Sequence, residues 1–187
     1  MTRKVSFTGI ALMLLLCLAV LAAGCAEGFP AGEWALDSEP EVCVLRVDEG
    51  GSAQYNGAAY TWEDDGGFLL LTDAEGEVLR LRYLVTEKHL YLYLGSGYTR
   101  KEGTAGEGIV GVWNKDGSAR SFFEFTAKDT FLEDGYFSGV YETDYENGSF
   151  TLIYPKYFED TVCYFQLDGE HMTVEYPWSL TAVRTDP

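Results

Sequence analysis

Only two histidines, His89 and His171, are available in this chain for general acid–base chemistry or metal binding. They occupy matching places, each just after a turn and just before a run of alternating apolar residues. A catalytic pair would have to meet across two repeated units, and neither histidine stands beside a recognisable nucleophile motif. We therefore predict that both are polar strand residues, that the protein is not an enzyme, and that it uses no metal or cofactor.

The carboxylates are abundant, with 30 Asp and Glu against 13 Lys and Arg. Paired carboxylates carry out glycoside hydrolysis, but this many acids on a small surface form pairs by chance. The acidic segments 73–77 and 144–148 resemble calcium loops, yet they lack the spacing and the terminal bidentate glutamate of an EF-hand. Acidic hairpin turns are the simpler interpretation.

The formal net charge of −17 argues against nucleic acid and against electrostatic docking on anionic lipid. The chain is nevertheless 47% hydrophobic and 15% aromatic, which is too apolar for a disordered protein. We therefore expect a folded chain. Any attachment to a membrane would not depend on electrostatic attraction to lipid headgroups.

The N-terminus has the form of an export signal, in which Arg3 and Lys4 precede an apolar run over residues 5–23. A permanent membrane helix is the alternative, because the run approaches the ~20 residues that span a bilayer.

The sequence Leu-Ala-Ala-Gly-Cys at residues 21–25 resembles the lipobox of bacterial lipoproteins. The resemblance implies that the signal peptide, residues 1–24, is removed and that Cys25 is acylated. The mature protein would then be extracytoplasmic and anchored to a bacterial membrane by lipid, with residues 25–31 as a tether.

Two cysteines remain outside the signal and the lipobox, Cys43 and Cys163. A disulfide between them is permitted outside the cell. Each also falls at an inward position of an alternating strand pattern, where a free thiol packs as a small apolar residue. The sequence leaves both arrangements open.

The rest of the chain repeats one strand-rich unit twice. A Gly-x-Trp sequence opens each copy, at Trp34 and Trp113, and each copy ends at an arginine, Arg100 and Arg184. Apolar and polar residues alternate within the copies, as in residues 78–85, and Asn-Gly or Asp-Gly pairs provide tight hairpin turns.

This combination of first-strand tryptophan and last-strand arginine resembles the lipocalin superfamily, in which the arginine lies across the tryptophan at the closed barrel end. The resemblance implies an all-β fold of two tandem small antiparallel meander barrels, with Trp34 against Arg100 and Trp113 against Arg184. Barrels this small are just wide enough for their own side chains, so we expect filled interiors.

The predicted organisation is an N-terminal signal helix, the tether, a first β-barrel repeat at 32–101, a flexible glycine-rich linker at 102–108, and a second repeat at 109–185.

Rings at two predicted connections of the second copy, together with Tyr164 on the outward face of a strand, form the candidate binding surface. Exposed tyrosine and tryptophan offer large contact area at little entropic cost, which suits recognition. The alternative is that the rings pack between the barrels or cap their cores. The residues of this surface are Tyr154, Tyr157, Phe158, Tyr164 and Trp178, and on the first copy Tyr91 and Tyr93 also face away from the leucines.

The chain is thus predicted to be a non-catalytic envelope lipoprotein that binds an envelope protein or a wall glycan. A lipocalin-like carrier of a small apolar ligand is the first alternative, and an uncharacterised hydrolase that uses surface carboxylates is the second.

Overall fold

The computed structural model describes residues 28–86, 89–155 and 158–183. Within these residues the chain is an antiparallel β-structure with a single 3-10 turn, Ala105–Glu107. The predicted all-β antiparallel class is therefore confirmed. The signal peptide, Cys25, Tyr157 and Arg184 lie outside the described residues. In the described part of the chain, no helix has the length and apolarity needed to cross a membrane.

Fourteen strands follow one another along the chain, seven from each predicted copy. Most are short, because a glycine-containing turn interrupts the alternating pattern every few residues. Their bounds are β1 (Gly32–Leu36), β2 (Cys43–Val47), β3 (Ser52–Tyr55), β4 (Ala58–Asp64), β5 (Phe68–Thr72), β6 (Val78–Val85), β7 (Leu90–Glu102), β8 (Gly111–Lys115), β9 (Phe122–Phe125), β10 (Thr130–Glu133), β11 (Phe137–Asp144), β12 (Ser149–Ile153), β13 (Thr161–Asp168) and β14 (His171–Ala182).

The strands form one closed ring, in which each pairs with its neighbours in the chain and β1 pairs with β14. The two longest strands, β7 and β14, also pair with each other across the ring, from His171 opposite Thr99 to Leu180 opposite Leu90. This pairing divides the interior into two lobes. The predicted pair of barrels, each closing on its own strands, is replaced by one ring.

Each half of the chain supplies the closing strand of the other half. In the first lobe, β1 pairs with the C-terminal end of β14, with Trp34 opposite Ala182. In the second lobe, β8 pairs with the C-terminal end of β7, with Trp113 opposite Arg100. The exchange is possible because β7 has 13 residues and β14 has 12, long enough to run through both lobes.

The two hydrophobic cores reflect the same exchange. Leu180 of β14 is buried among first-half residues, and Tyr98 of β7 is buried among second-half residues. Phe29, which the sequence assigned to the tether, packs into the first core, and its amide donates to Asp64 Oδ2 at 2.9 Å. Both lobes are filled by their own side chains, and apolar burial of this kind is the main source of stability.

Arg100 joins the two halves at the β7–β8 junction. Its guanidinium stacks on the fully buried indole of Trp113, 4.0 Å from the ring centroid, and donates to the carbonyl oxygens of Val110 at 2.7 Å and Gly108 at 2.8 Å. Its Nε also lies 3.3 Å from the carboxylate of Glu170. The cation–π contact and the charge-assisted hydrogen bonds together offset the cost of burying the charge.

The predicted contact between Arg100 and Trp34 is therefore corrected, because Arg100 stacks on the tryptophan of the other copy. Trp34 is only half-buried, and its indole N–H donates to the Pro30 carbonyl at 3.2 Å. The partner predicted for Trp113, Arg184, lies outside the described residues.

In the predicted linker, residues 102–108, Glu102 ends β7 and Ala105–Glu107 form the 3-10 turn. Arg100 binds the Gly108 carbonyl, and the next residue, Ile109, is fully buried with its amide donating to the Tyr145 hydroxyl at 3.2 Å. Close backbone approach also requires glycine here: Gly111 has a φ of 137°, and a Cβ at that position would collide with the Glu102 carbonyl.

Both cysteines outside the signal and the lipobox are free thiols. Cys163 is buried in the second core, as its strand pattern predicts. Cys43 is exposed, contrary to its pattern, because it is the first residue of β2 and pairs with Ala35 just beyond a bulge in β1. Cys43 and Cys163 therefore do not form a disulfide with each other, and the two thiols lie in different environments.

Candidate functional site

A cleft of about 580 Å³ opens at one end of the second lobe, and we call it the aromatic cleft. Two connections form one side of it, the one between β10 and β11 and the one between β12 and β13. The paired strands β7 and β14 form the other side. The residues that line it are Leu84, Tyr91, Tyr93, Glu133, Phe137, Tyr154, Phe158, Glu159, Asp160, Thr161, Val162, Tyr164, Tyr176, Pro177 and Ser179.

Glu133 is a half-buried acid that lines the cleft. It is the last residue of β10 and lies two positions after the buried Phe131, so the strand alternation directs it to the inner face. The hydroxyl of Tyr154 donates to Glu133 Oε2 at 2.7 Å. Tyr176, two positions after the buried Val174, reaches the same cleft from β14.

Burial controls the protonation of this group. It raises the pKa of the Glu133 carboxyl above its ordinary value, although the hydrogen bond from Tyr154 acts in the opposite direction. Burial and the nearby Glu133 charge also raise the pKa of Tyr154 and of Tyr176, so both phenols stay protonated. The base of the cleft is therefore a carboxylate held among neutral hydroxyls.

A raised pKa in the folded state means that ionised Glu133 destabilises the protein at neutral pH. We expect Glu133→Gln, which keeps an oxygen for Tyr154, to raise the melting temperature at pH 7. The gain should shrink as the pH falls towards ~4.3, the unfolded pKa of Glu, because the native carboxyl is then protonated. Thermal melts at both pH values check this.

The matched control is Glu142→Gln, an exposed acid on the neighbouring strand β11. It makes the same change in net charge but should leave the melting temperature almost unchanged at either pH. A Glu133→Gln protein that is less stable than the wild type at pH 7 would contradict the role assigned to burial.

Aromatic rings build the outer wall of the cleft. Tyr154 packs edge-on against Phe131 of the core, with ring centroids 5.1 Å apart, and touches Phe158 at 5.7 Å. Phe158 also contacts Phe137 edge-on at 5.7 Å. Phe137 and Phe158 are 44% and 59% exposed, so two rings at the rim of the cleft face solvent.

The opposite wall comes from the β7–β14 pair and from β13. Tyr93 is buried and packs edge-on against Tyr164 at 5.3 Å, and burial raises the pKa of Tyr93 to about 12. Behind this wall, the guanidinium of Arg82 stacks on Tyr164 at 3.6 Å and donates to Glu175 at 2.9 Å. These contacts hold the outer faces of the two lobes together.

The structure brings together most of the predicted ring surface. Tyr154, Phe158 and Tyr164 line the cleft, and so do Tyr91 and Tyr93. Trp178 is 41% exposed but is not a lining residue, although its ring contacts that of Tyr176 at 6.3 Å.

Sequence reasoning missed Glu133 and Tyr176. Glu133 stands two residues after an inward phenylalanine, a spacing that places it on the inner face of the strand. This signal was overlooked because the Asp134-Gly135 turn follows Glu133 directly. Tyr176 was hidden because it precedes Pro177, which marked the segment as a connection, whereas β14 continues through it.

The histidines do not meet. His171 lies opposite Thr99 at one end of the β7–β14 pair, and His89 precedes Leu90 at the other end. Both are exposed. Among the described residues, no three His, Cys, Asp or Glu side chains are grouped so that they could hold a metal ion.

Comparison with family models, with curated proteins and with solved structures finds no match for this chain.

Proposed function

We propose that this protein is an extracytoplasmic bacterial lipoprotein, anchored through Cys25, that binds a small organic ligand in the aromatic cleft without transforming it. The two lobes would be lipocalin-like barrels that share their closing strands. The observation that carries the proposal is the cleft itself, a concave space lined by rings with a few hydroxyls and a carboxylate at its base.

The cleft is a better candidate for a small-molecule site than the interior of either lobe, because both interiors are filled by side chains. Ligand sites usually occupy roughly 300–1,000 Å³ and combine apolar walls with a few placed polar groups. The cleft, at about 580 Å³, lies in this range. The exposed rim rings, Phe137 and Phe158, also suit a wall glycan or an envelope protein, which is the second candidate partner.

The binding role is tested by removing the rim and inner rings. We expect the double variant Tyr154→Ala, Phe158→Ala to bind aromatic probes about tenfold more weakly than the wild type, since each ring contributes contact area and stacking. Saturation-transfer NMR with a set of neutral aromatic fragments measures this. The matched control is Tyr136→Ala, which removes an 87% exposed ring that does not line the cleft and should change nothing.

The anchor is tested separately. Cys25→Ser should abolish the acylated N-terminal peptide, because the thiol that would carry the acyl chains is gone. Mass spectrometry of the wild-type N-terminus should show an acylated Cys25. An unmodified Cys25 in membrane-bound protein would contradict the proposal.

Glu133 also favours one catalytic alternative, because a half-buried carboxyl with a raised pKa has the property of a general acid. A glycosidase would need a second carboxylate roughly 5–9.5 Å away across the bond to be cleaved. Assays with chromogenic glycosides distinguish the two functions: turnover that is lost in Glu133→Gln would indicate the enzyme, and binding without turnover indicates the carrier.

A further inference from the structure

We propose that the ligand of the aromatic cleft is an organic cation, an ammonium group that carries an apolar substituent. This inference rests on the proposed binding function and specifies its ligand class.

The first argument is the sign of the charges around the cleft. Three carboxylates line it, Glu133, Glu159 and Asp160, and no lysine or arginine is among the described lining residues. Glu133 has a hydrogen bond from Tyr154 but no ion pair within the described part of the chain. An anionic ligand would be repelled by these three carboxylates, whereas a cation would be attracted to them.

The second argument is that the neighbouring arginine is already occupied. Arg82 donates to Glu175 and stacks on the rings of Phe68 and Tyr164. It therefore does not neutralise the carboxylates of the cleft from behind the wall. Lys156 belongs to the loop before Phe158 and lies outside the described residues.

The third argument is the nature of the walls. The Tyr154 hydroxyl binds Glu133, and the rings of Tyr154, Tyr176 and Phe158 line the same cleft. Aromatic ring faces attract cations by ~0.5–2 kcal/mol each. A carboxylate beside several rings is the arrangement that recognises weakly hydrated ammonium groups. A neutral apolar ligand would use the rings but would give the half-buried carboxylate no counter-charge.

The net charge of −17 adds a long-range effect. A strongly acidic protein concentrates cations near its surface and excludes anions, so cationic ligands should also arrive faster at low ionic strength.

The test compares three probes that share one benzyl group: benzyltrimethylammonium, benzyl alcohol and phenylmethanesulfonate. The full protein is titrated with each probe by calorimetry at pH 7 in a non-ionic detergent. We expect the cation to bind about tenfold more tightly than the alcohol, and the sulfonate to bind more weakly than both. Glu133→Gln should weaken cation binding about tenfold and leave alcohol binding within about twofold.

Glu142→Gln provides the matched control, because it removes one exposed acid from the same lobe and should leave both affinities within about twofold. If Glu133→Gln does not fold, Asp160→Asn replaces it, with an expected loss of about threefold for the cation alone.

The outcomes separate the two proposals. Alcohol or sulfonate that binds as tightly as the cation, with binding lost in the Tyr154→Ala, Phe158→Ala protein, would overturn the cation while keeping the cleft as the binding site. A cation affinity that is unchanged in Glu133→Gln would also overturn it. If none of the three probes binds, both the ligand class and the proposed function fail.

Discussion

Trp113→Ala should destabilise the protein by about 3–5 kcal/mol, the usual cost of truncating a fully buried tryptophan. Trp34→Ala should cost only about 1–2 kcal/mol, because the indole of Trp34 is half-buried. Trp113 also lies under the Arg100 guanidinium at 4.0 Å, which adds a cation–π contact to the loss of buried area. Urea denaturation of both variants measures the two free energies of unfolding.

These two substitutions are matched controls for each other, since each removes the tryptophan of a Gly-x-Trp sequence at the start of a copy. Equal destabilisation by Trp34→Ala and Trp113→Ala would contradict the difference in burial between the two indoles.

The strands themselves could be predicted from local sequence. The alternation at residues 78–85 corresponds to β6, Val78–Val85. Leu81 and Tyr83 are buried on the apolar face of the pattern, whereas Leu79 on the same face is 38% exposed. The Asn56-Gly57 turn has positive φ at both residues, as a tight hairpin demands. These features depend on neighbouring residues only, so one sequence is enough to identify them.

The exchange could not be predicted, because alternation fixes which face a residue occupies but not which strand it pairs with. In a duplicated chain, both last strands offer similar edges to both first strands. The sequence Gly95-Ser96-Gly97 also has the composition of a turn, yet β7 continues through it into the second lobe. The choice of partner depends on contacts that are distant in sequence, such as Arg100 with Trp113.

The aromatic cleft is a consequence of this arrangement. Tyr91 and Tyr93 come from the first half of the chain, whereas Tyr154 and Glu133 come from the second half. The rings were visible in the sequence, but their convergence on one carboxylate required the β7–β14 pair to bring the halves together. The ligand site should therefore exist only when both lobes are folded.

The interdependence of the halves has the largest expected effect on folding. Without the second half, β1 would lose its partner residues Leu180–Ala182, β7 would lose its whole pairing with β14, and the first core would lose Leu180. Loss of Leu180 alone is worth ~2–5 kcal/mol, which is a large share of the stability of a small domain. The second half would lose Tyr98 and Arg100 in the same way.

The most direct measurement is the amide proton NMR spectrum of residues 28–103 produced alone. Mutual closure predicts a poorly dispersed spectrum with no cooperative thermal transition, and recovery of a dispersed spectrum when residues 104–183 are added. A first half that folds by itself, with dispersed amides and a cooperative melt, would contradict the single ring.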